Sequence, residues 1–291
     1  MAKSLQKIKQ ELESLETQST ELATELDRLY RHYLQVLSQS TKNQFILACY
    51  QICTQIYPET FLKLSFSQRE KLQEKFRQLY GEIQSRFFSY LEVSPFVSPP
   101  QPTLTEQILL RLSPEQEPSF KVTESKEKFK ISEINNPEML VHWCQGVEEG
   151  IRETLNHLSQ EANNYLQKAQ IISSNLPPQI LEMALQAEEA GVTSGNSPNI
   201  LNLLVERKTD QENEGEDDED DNETDGKITK ISAINLRLSE IEFADTTLSI
   251  ERKEIRSCLE KLKKMRKYYR LTQQEYAQAE AEAAWRSSWH E

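Results

Sequence analysis

Glycine is the first shortage, with seven in 291 residues. Tight hairpins and phosphate-cradling loops consume glycine because it alone takes positive φ cheaply, so enzyme folds built on such loops lose ground at once. Cysteine is scarce as well. Four residues without framework spacing argue against a disulfide-stapled scaffold and suit a reducing cytoplasm, where thiols stay free. Long apolar runs are also missing. The longest, Phe45 to Tyr57, is interrupted by Gln51, Thr54 and Gln55 and falls well short of the roughly 20 residues that cross a bilayer. No membrane span is expected. The N-terminus carries Lys3, Lys7, Lys9 and Glu11 at helical spacing and has no apolar core of a secretory signal.

Charge and helix fill the space. Apolar residues make up 37% of the chain and charged ones 28%, a profile that favours long helices over a strand-rich domain. The net charge is −13, yet residues 206–226 alone hold twelve acids and two bases. The remainder is close to neutral, so overall acidity is weak evidence against a nucleic-acid partner.

With Leu5 as heptad position a, the a and d sites are Leu5, Ile8, Leu12, Leu15, Ser19, Leu22, Leu26, Leu29, Tyr33 and Val36, of which nine are apolar. A 3-4-3-4 spacing kept this long places a narrow seam on one side of a helix and predicts a coiled coil. A second register runs along the C-terminal segment, with d sites at Ile234, Ile241, Leu248, Ile255, Leu262, Tyr269, Tyr276 and Ala283. Its a sites alternate Ile231, Leu238 and Leu259 with Asp245, Arg252, Arg266, Gln273 and Glu280. In a parallel homodimer those charges would face their own copies, which is costly. The flanks add to this: Glu11 would meet Glu16 in a parallel N-terminal dimer, while Arg256, Lys263 and Arg270 occupy C-terminal e sites. The two terminal coils are therefore predicted to pair with each other, within a chain or between chains.

The predicted architecture is all-α, an elongated helical protein with N- and C-terminal coiled coils, a central bundle and disordered linkers. Residues 1–92 form the N-terminal coil and helices. Pro58 ends a helix over 41–57, and a capping box at Ser67 and Glu70 opens another to about residue 92. Residues 93–135, with Pro95, Pro99, Pro100, Pro102, Pro114 and Pro118, read as a semi-extended linker. Residues 136–208 read as a helical bundle. Asn136, Pro137 and Glu138 start its first helix, Pro177 and Pro178 its second, and Ser197 and Pro198 a third carrying Ile200, Leu201, Leu204 and Val205. Residues 209–227 form an acidic linker too polar to offset its chain entropy. Residues 228–291 form the C-terminal coiled-coil helix.

The run Leu236 to Asp245 and the ending Ala279 to Trp289 resemble a family of cyanobacterial helical, coiled-coil proteins. That resemblance implies a bacterial cytoplasm and supplies no active site.

Several constellations invite chemistry and answer better to plainer readings. Cys49 and Cys53 share a helix face, but a zinc site needs two further ligands, so they read as small core residues. His142 and Cys144 flank Trp143 at a spacing that points them apart on a helix. Glu148, Glu149 and Glu153 lack the Glu-x-x-His partner of a bundle di-metal site and read as a solvated face. Residues 252–270 hold nine bases and two acids. Lys261, Lys263, Lys264, Arg266, Lys267 and Arg270 beside Tyr268 and Tyr269 could hold a polyanion, with the acidic linker as a mask, or could flank a helical seam. Trp285 and Trp289 share a face and should dock in cis or on a partner, because large aromatics are costly to leave in water. No catalytic, cofactor or metal set emerges. The expected function is a non-catalytic interaction or scaffold protein whose partner, another protein or a second copy of itself, is met through coiled-coil helices. A nucleic-acid accessory protein is the alternative.

Overall fold

A computed structural model describes residues 4–92, 94–97, 126–129, 131–172, 198–207 and 227–289. The fold is all-α, with two short antiparallel ribbons. In chain order, α1 (Leu5–Gln51) runs into a π-helical turn at Ile52–Ile56, then α2 (Pro58–Lys63), α3 (Phe66–Gly81) and α4 (Ile83–Glu92). Strands β1 (Ser94–Val97) and β2 (Lys126–Phe129) precede a 3-10 turn and α5 (Pro137–Lys168). Then come β3 (Ile200–Arg207), β4 (Lys227–Ile234), α6 (Leu238–Ala244) and α7 (Thr246–Ser288). No helix among the described residues is long and apolar enough to cross a membrane.

The chain forms two compact units. The first takes residues Met1–Gln35, Ser85–Ile151 and Ile250–Glu291, the second Val36–Gln84 and Arg152–Ser249. The core of the first centres on Trp143, which is 2% exposed. Its ring meets Tyr30 edge-on at 5.6 Å, and its indole N–H donates to the Leu91 carbonyl at 3.4 Å, satisfying the polar end of a buried aromatic. Gly150 permits the helices here to approach: a Cβ at that position would lie 2.2 Å from the Tyr90 ring.

Helix starts follow local chemistry. Asn136 Oδ1 accepts from the Met139 N–H at 2.9 Å, as the Asn-Pro-Glu signal predicts. The predicted apolar face is buried at Leu140, Val147, Ile151, Leu155 and Leu158. The box predicted at Ser67 and Glu70 sits two residues earlier. Ser65 Oγ accepts from the Gln68 N–H and Gln68 Oε1 accepts from the Ser65 N–H, because glutamine closes the box as well as glutamate does. The helices predicted over 5–36 and 41–57 are one continuous α1 as far as Gln51, carried on by the π-helical turn, and Pro58 opens α2 in the tolerated first turn.

Four expectations are corrected. Residues 200–207 form a strand, not a third bundle helix; β3 pairs with β4 from Ile200↔Ile234 to Arg207↔Lys227. A short, mostly apolar run cannot be told from a buried helix by period alone, and the β-branched Ile228, Thr229, Ile231 and Ile234 tip the pair to strand. Ile231 and Ile234 therefore belong to a ribbon rather than a helical seam. The C-terminal helix is also broken at Asp245, whose backbone is extended and whose Oδ1 accepts from the Thr247 N–H at 2.9 Å. That residue is a helix cap, not a buried heptad position. Part of the predicted linker is paired as well, with Ser94↔Phe129 to Val97↔Lys126 in register. The expected helix after Pro177 and Pro178, most of the Pro-rich linker and the acidic tract lie outside the described residues.

In the second unit the outer edge of β4 is closed by side chains. Asn163 donates to the Ile234 carbonyl and accepts from its N–H, both at 2.8 Å. Tyr57 Oη accepts from the Ser232 N–H at 2.8 Å, and Ser159 Oγ accepts from the Leu236 N–H at 2.9 Å. A buried strand edge would otherwise leave backbone groups unpaired at a cost of about 1–3 kcal/mol each. Asn199 stands before β3 with φ of 58°, a left-handed conformation that asparagine tolerates. Its side chain donates to Gln44 Oε1 at 3.1 Å and accepts from the Arg237 N–H at 3.3 Å.

Candidate functional site

The first candidates are the heptad seams. On α1, Ile8, Leu15, Leu22, Leu26 and Leu29 are buried, Leu12 is half-buried and Leu5 is 37% exposed. On α7, Ile255 and Leu262 are buried in the first unit. Ile241 on α6 and Leu248 on α7 are buried in the second. Within the first unit, Tyr269 donates to Glu16 at 3.2 Å, Lys261 lies 3.9 Å from Glu25, and His32 Nδ1 lies 2.9 Å from Glu251. Partners rise along α1 as they fall along α7, so these stretches run antiparallel. The buried seam residues are occupied inside the chain.

Two charged a sites of α7, Arg252 and Arg266, are answered by α5. Arg252 forms a two-pronged bond to Glu148, at 2.5 Å to Oε1 and 2.7 Å to Oε2. Tyr30 donates to the same carboxylate at 2.7 Å, and the guanidinium lies 5.4 Å from the Tyr33 ring centre. Burial, then the Glu148 charge, holds the Tyr30 hydroxyl well above its ordinary pKa. Glu138 receives Arg266 Nε at 2.7 Å and Arg270 Nη2 at 3.1 Å. Burial alone would raise the Glu138 pKa, but hydrogen bonds from Arg270 and Arg266 outweigh it and the carboxyl sits below its usual range. Of the acids read as a solvated face, Glu148 is paired with Arg252, while Glu149 and Glu153 are exposed. The signal for that pairing was present in the sequence: arginine at a heptad a site requires a carboxylate opposite.

Of the polyanion candidates, Lys261, Arg266 and Arg270 are in ion pairs, whereas Lys263, Lys264 and Lys267 are exposed. Cys49 and Cys53 are buried. Burial lifts the Cys49 thiol well above its ordinary value and Cys53 to about 12, so both are protonated at neutral pH and poorly suited to metal. Burial, then the Glu148 charge, raises Cys144 as well, while burial lowers His142. Among the described residues no cluster of three or more His, Cys, Asp or Glu could hold a metal.

Trp285 and Trp289 stack on each other at 5.2 Å with planes 25° apart. They are 64% and 69% exposed, so the pair packs upon itself and keeps most of its surface in water. No family model, curated protein or solved structure matches this chain.

Proposed function

We propose that the chain is a non-catalytic interaction protein of the bacterial cytoplasm. Its paired terminal helices, read as an antiparallel coiled coil, provide a body, and its outward contact is the tryptophan pair at the end of α7. The exposure of Trp285 and Trp289 carries the reading, because buried tryptophan is the commonest anchor of a protein interface. The occupied seams support it: a partner cannot use leucines that are already covered. Crosslinking and affinity purification from native cells test it, comparing wild type with W285A/W289A. A partner retained equally by the double variant would remove the tryptophans from the interface.

A second reading rests on the exposure of Lys263, Lys264 and Lys267 beside Tyr268, which is 47% exposed. This face would contact a polyanion, with the acidic tract as its mask. Binding of single-stranded oligonucleotides should then weaken steeply with salt and strengthen on deletion of residues 210–225. No binding at low salt by either form would end this reading.

A further inference from the structure

In the second unit, the end of α1, the π-helical turn and α3 surround a half-open cavity of about 400 Å³. That volume falls within the roughly 300–1,000 Å³ of small-molecule sites. Its inner wall is apolar: Phe45, Cys49, Cys53, Leu72 and Phe76 are all buried, and Phe45 meets Phe76 edge-on at 5.8 Å. The two thiols, protonated by burial, add no charge to that wall. The π-helical turn keeps a wide loop here, with the Tyr57 N–H donating to the Ile52 carbonyl five residues back at 2.9 Å. Such turns interrupt the regular side-chain pattern and recur at functional sites.

The lip is mixed, with Ile46 and Tyr50 exposed on the α1 side and polar groups on α3. Arg77 is exposed and is the one charged side chain among the described lining residues, with Gln73 and Tyr80 beside it. The Lys42 ammonium lies 4.8 Å from the centre of the Tyr80 ring, which places a second positive charge near the mouth. An apolar wall with cations on one side of its lip complements an amphipathic anion. A neutral ligand would leave the guanidinium unused, and a cation would be repelled.

We propose that this cavity binds a small apolar carboxylate, with its hydrocarbon part against Phe45, Cys49 and Phe76 and its carboxylate on Arg77. The site is separate from the tryptophan pair, and either can fail without the other. Titration calorimetry on the full chain tests it, using decanoate, decan-1-ol and decylamine below their aggregation concentrations. Decanoate should bind, with the alcohol about tenfold weaker, the discrimination expected of one charge-assisted hydrogen bond, and the amine weaker still. R77Q should bring decanoate down to the alcohol's affinity and leave the alcohol unchanged. Q73W, at an exposed position, should place an indole across the mouth and weaken both, with helicity as in wild type. Absence of decanoate binding at millimolar concentration would overturn the proposal. So would equal affinity for the alcohol, or an R77Q chain that binds decanoate as wild type does.

Discussion

The contacts between α5 and α7 in the first unit and those along β4 in the second hold their partners by different means. In the first, separate helices are joined by carboxylate–guanidinium pairs, Glu148 with Arg252 and Glu138 with Arg266 and Arg270. In the second, β4 and the backbone just after it are held by the uncharged side chains of Asn163, Tyr57 and Ser159. Ion pairs respond to pH and, where exposed, to salt, whereas amide and hydroxyl contacts respond to neither near neutrality. The difference teaches that one chain can specify helix register by charge in one place and strand position by neutral hydrogen bonds in another.

The largest expected effect comes from L22D/L26D in the first unit. Both leucines are buried, and their lost burial with two unpaired charges should cost about 5 kcal/mol or more. Circular dichroism should show lost helicity. Hydrogen exchange should place the lost protection in the first unit's stretches of α1, α5 and α7. Unchanged helicity would mean the stripe does not hold the unit together.

Next in size is E148A, which strands Arg252 in a half-buried site and should cost about 2–3 kcal/mol. The sharper variant is E148L/R252M, which should recover part of that loss in urea denaturation, since an apolar pair needs no charge compensation although the buried Tyr30 hydroxyl still loses its acceptor. A double variant as weak as E148A would show that the pair's geometry, not its charge balance, matters.

The matching change in the second unit is N163A. It removes one donor and one acceptor from Ile234 and should cost about 2 kcal/mol. Between pH 6 and 8 and across salt concentrations that loss should stay constant. A strong salt dependence would erase the contrast between the units.

A smaller effect follows from the depressed Glu138 pKa. Its contribution is present above the ordinary glutamate range and is lost as pH falls through the lower folded value. E138Q should therefore flatten the acid limb of the stability curve by less than about 1 kcal/mol, because Arg270 is largely exposed. An acid limb identical to wild type would assign the acid sensitivity elsewhere. W285A/W289A should change stability least, within about 0.5 kcal/mol in thermal denaturation. A large loss would place the tryptophans in a core.

Much of the helical scaffold could be read directly from residues. The Asn136-Pro137-Glu138 start and the face from Leu140 to Leu158 are local signals, and the structure follows them. The charges at Arg252 and Arg266 are legible in the sequence, and in the structure both meet carboxylates of α5. The ribbon was hidden because Ile200 to Val205 is apolar at both periods and its partner strand begins at Lys227, across the whole acidic tract. The cavity was hidden too: Cys49 and Cys53 were visible as a pair, but Arg77 lies on another helix and no spacing rule connects them.

By itself the sequence determined the helix start at Asn136 and the apolar faces of α1 and α5, because those properties act over one or two turns. Tertiary structure decided which acids on α5 meet which arginines on α7, that Asn163 closes a strand edge, and that the tryptophans stay in water. Each of these depends on groups far apart in the chain, whose meeting is set by packing and by the need to pair buried polar groups rather than by any local preference.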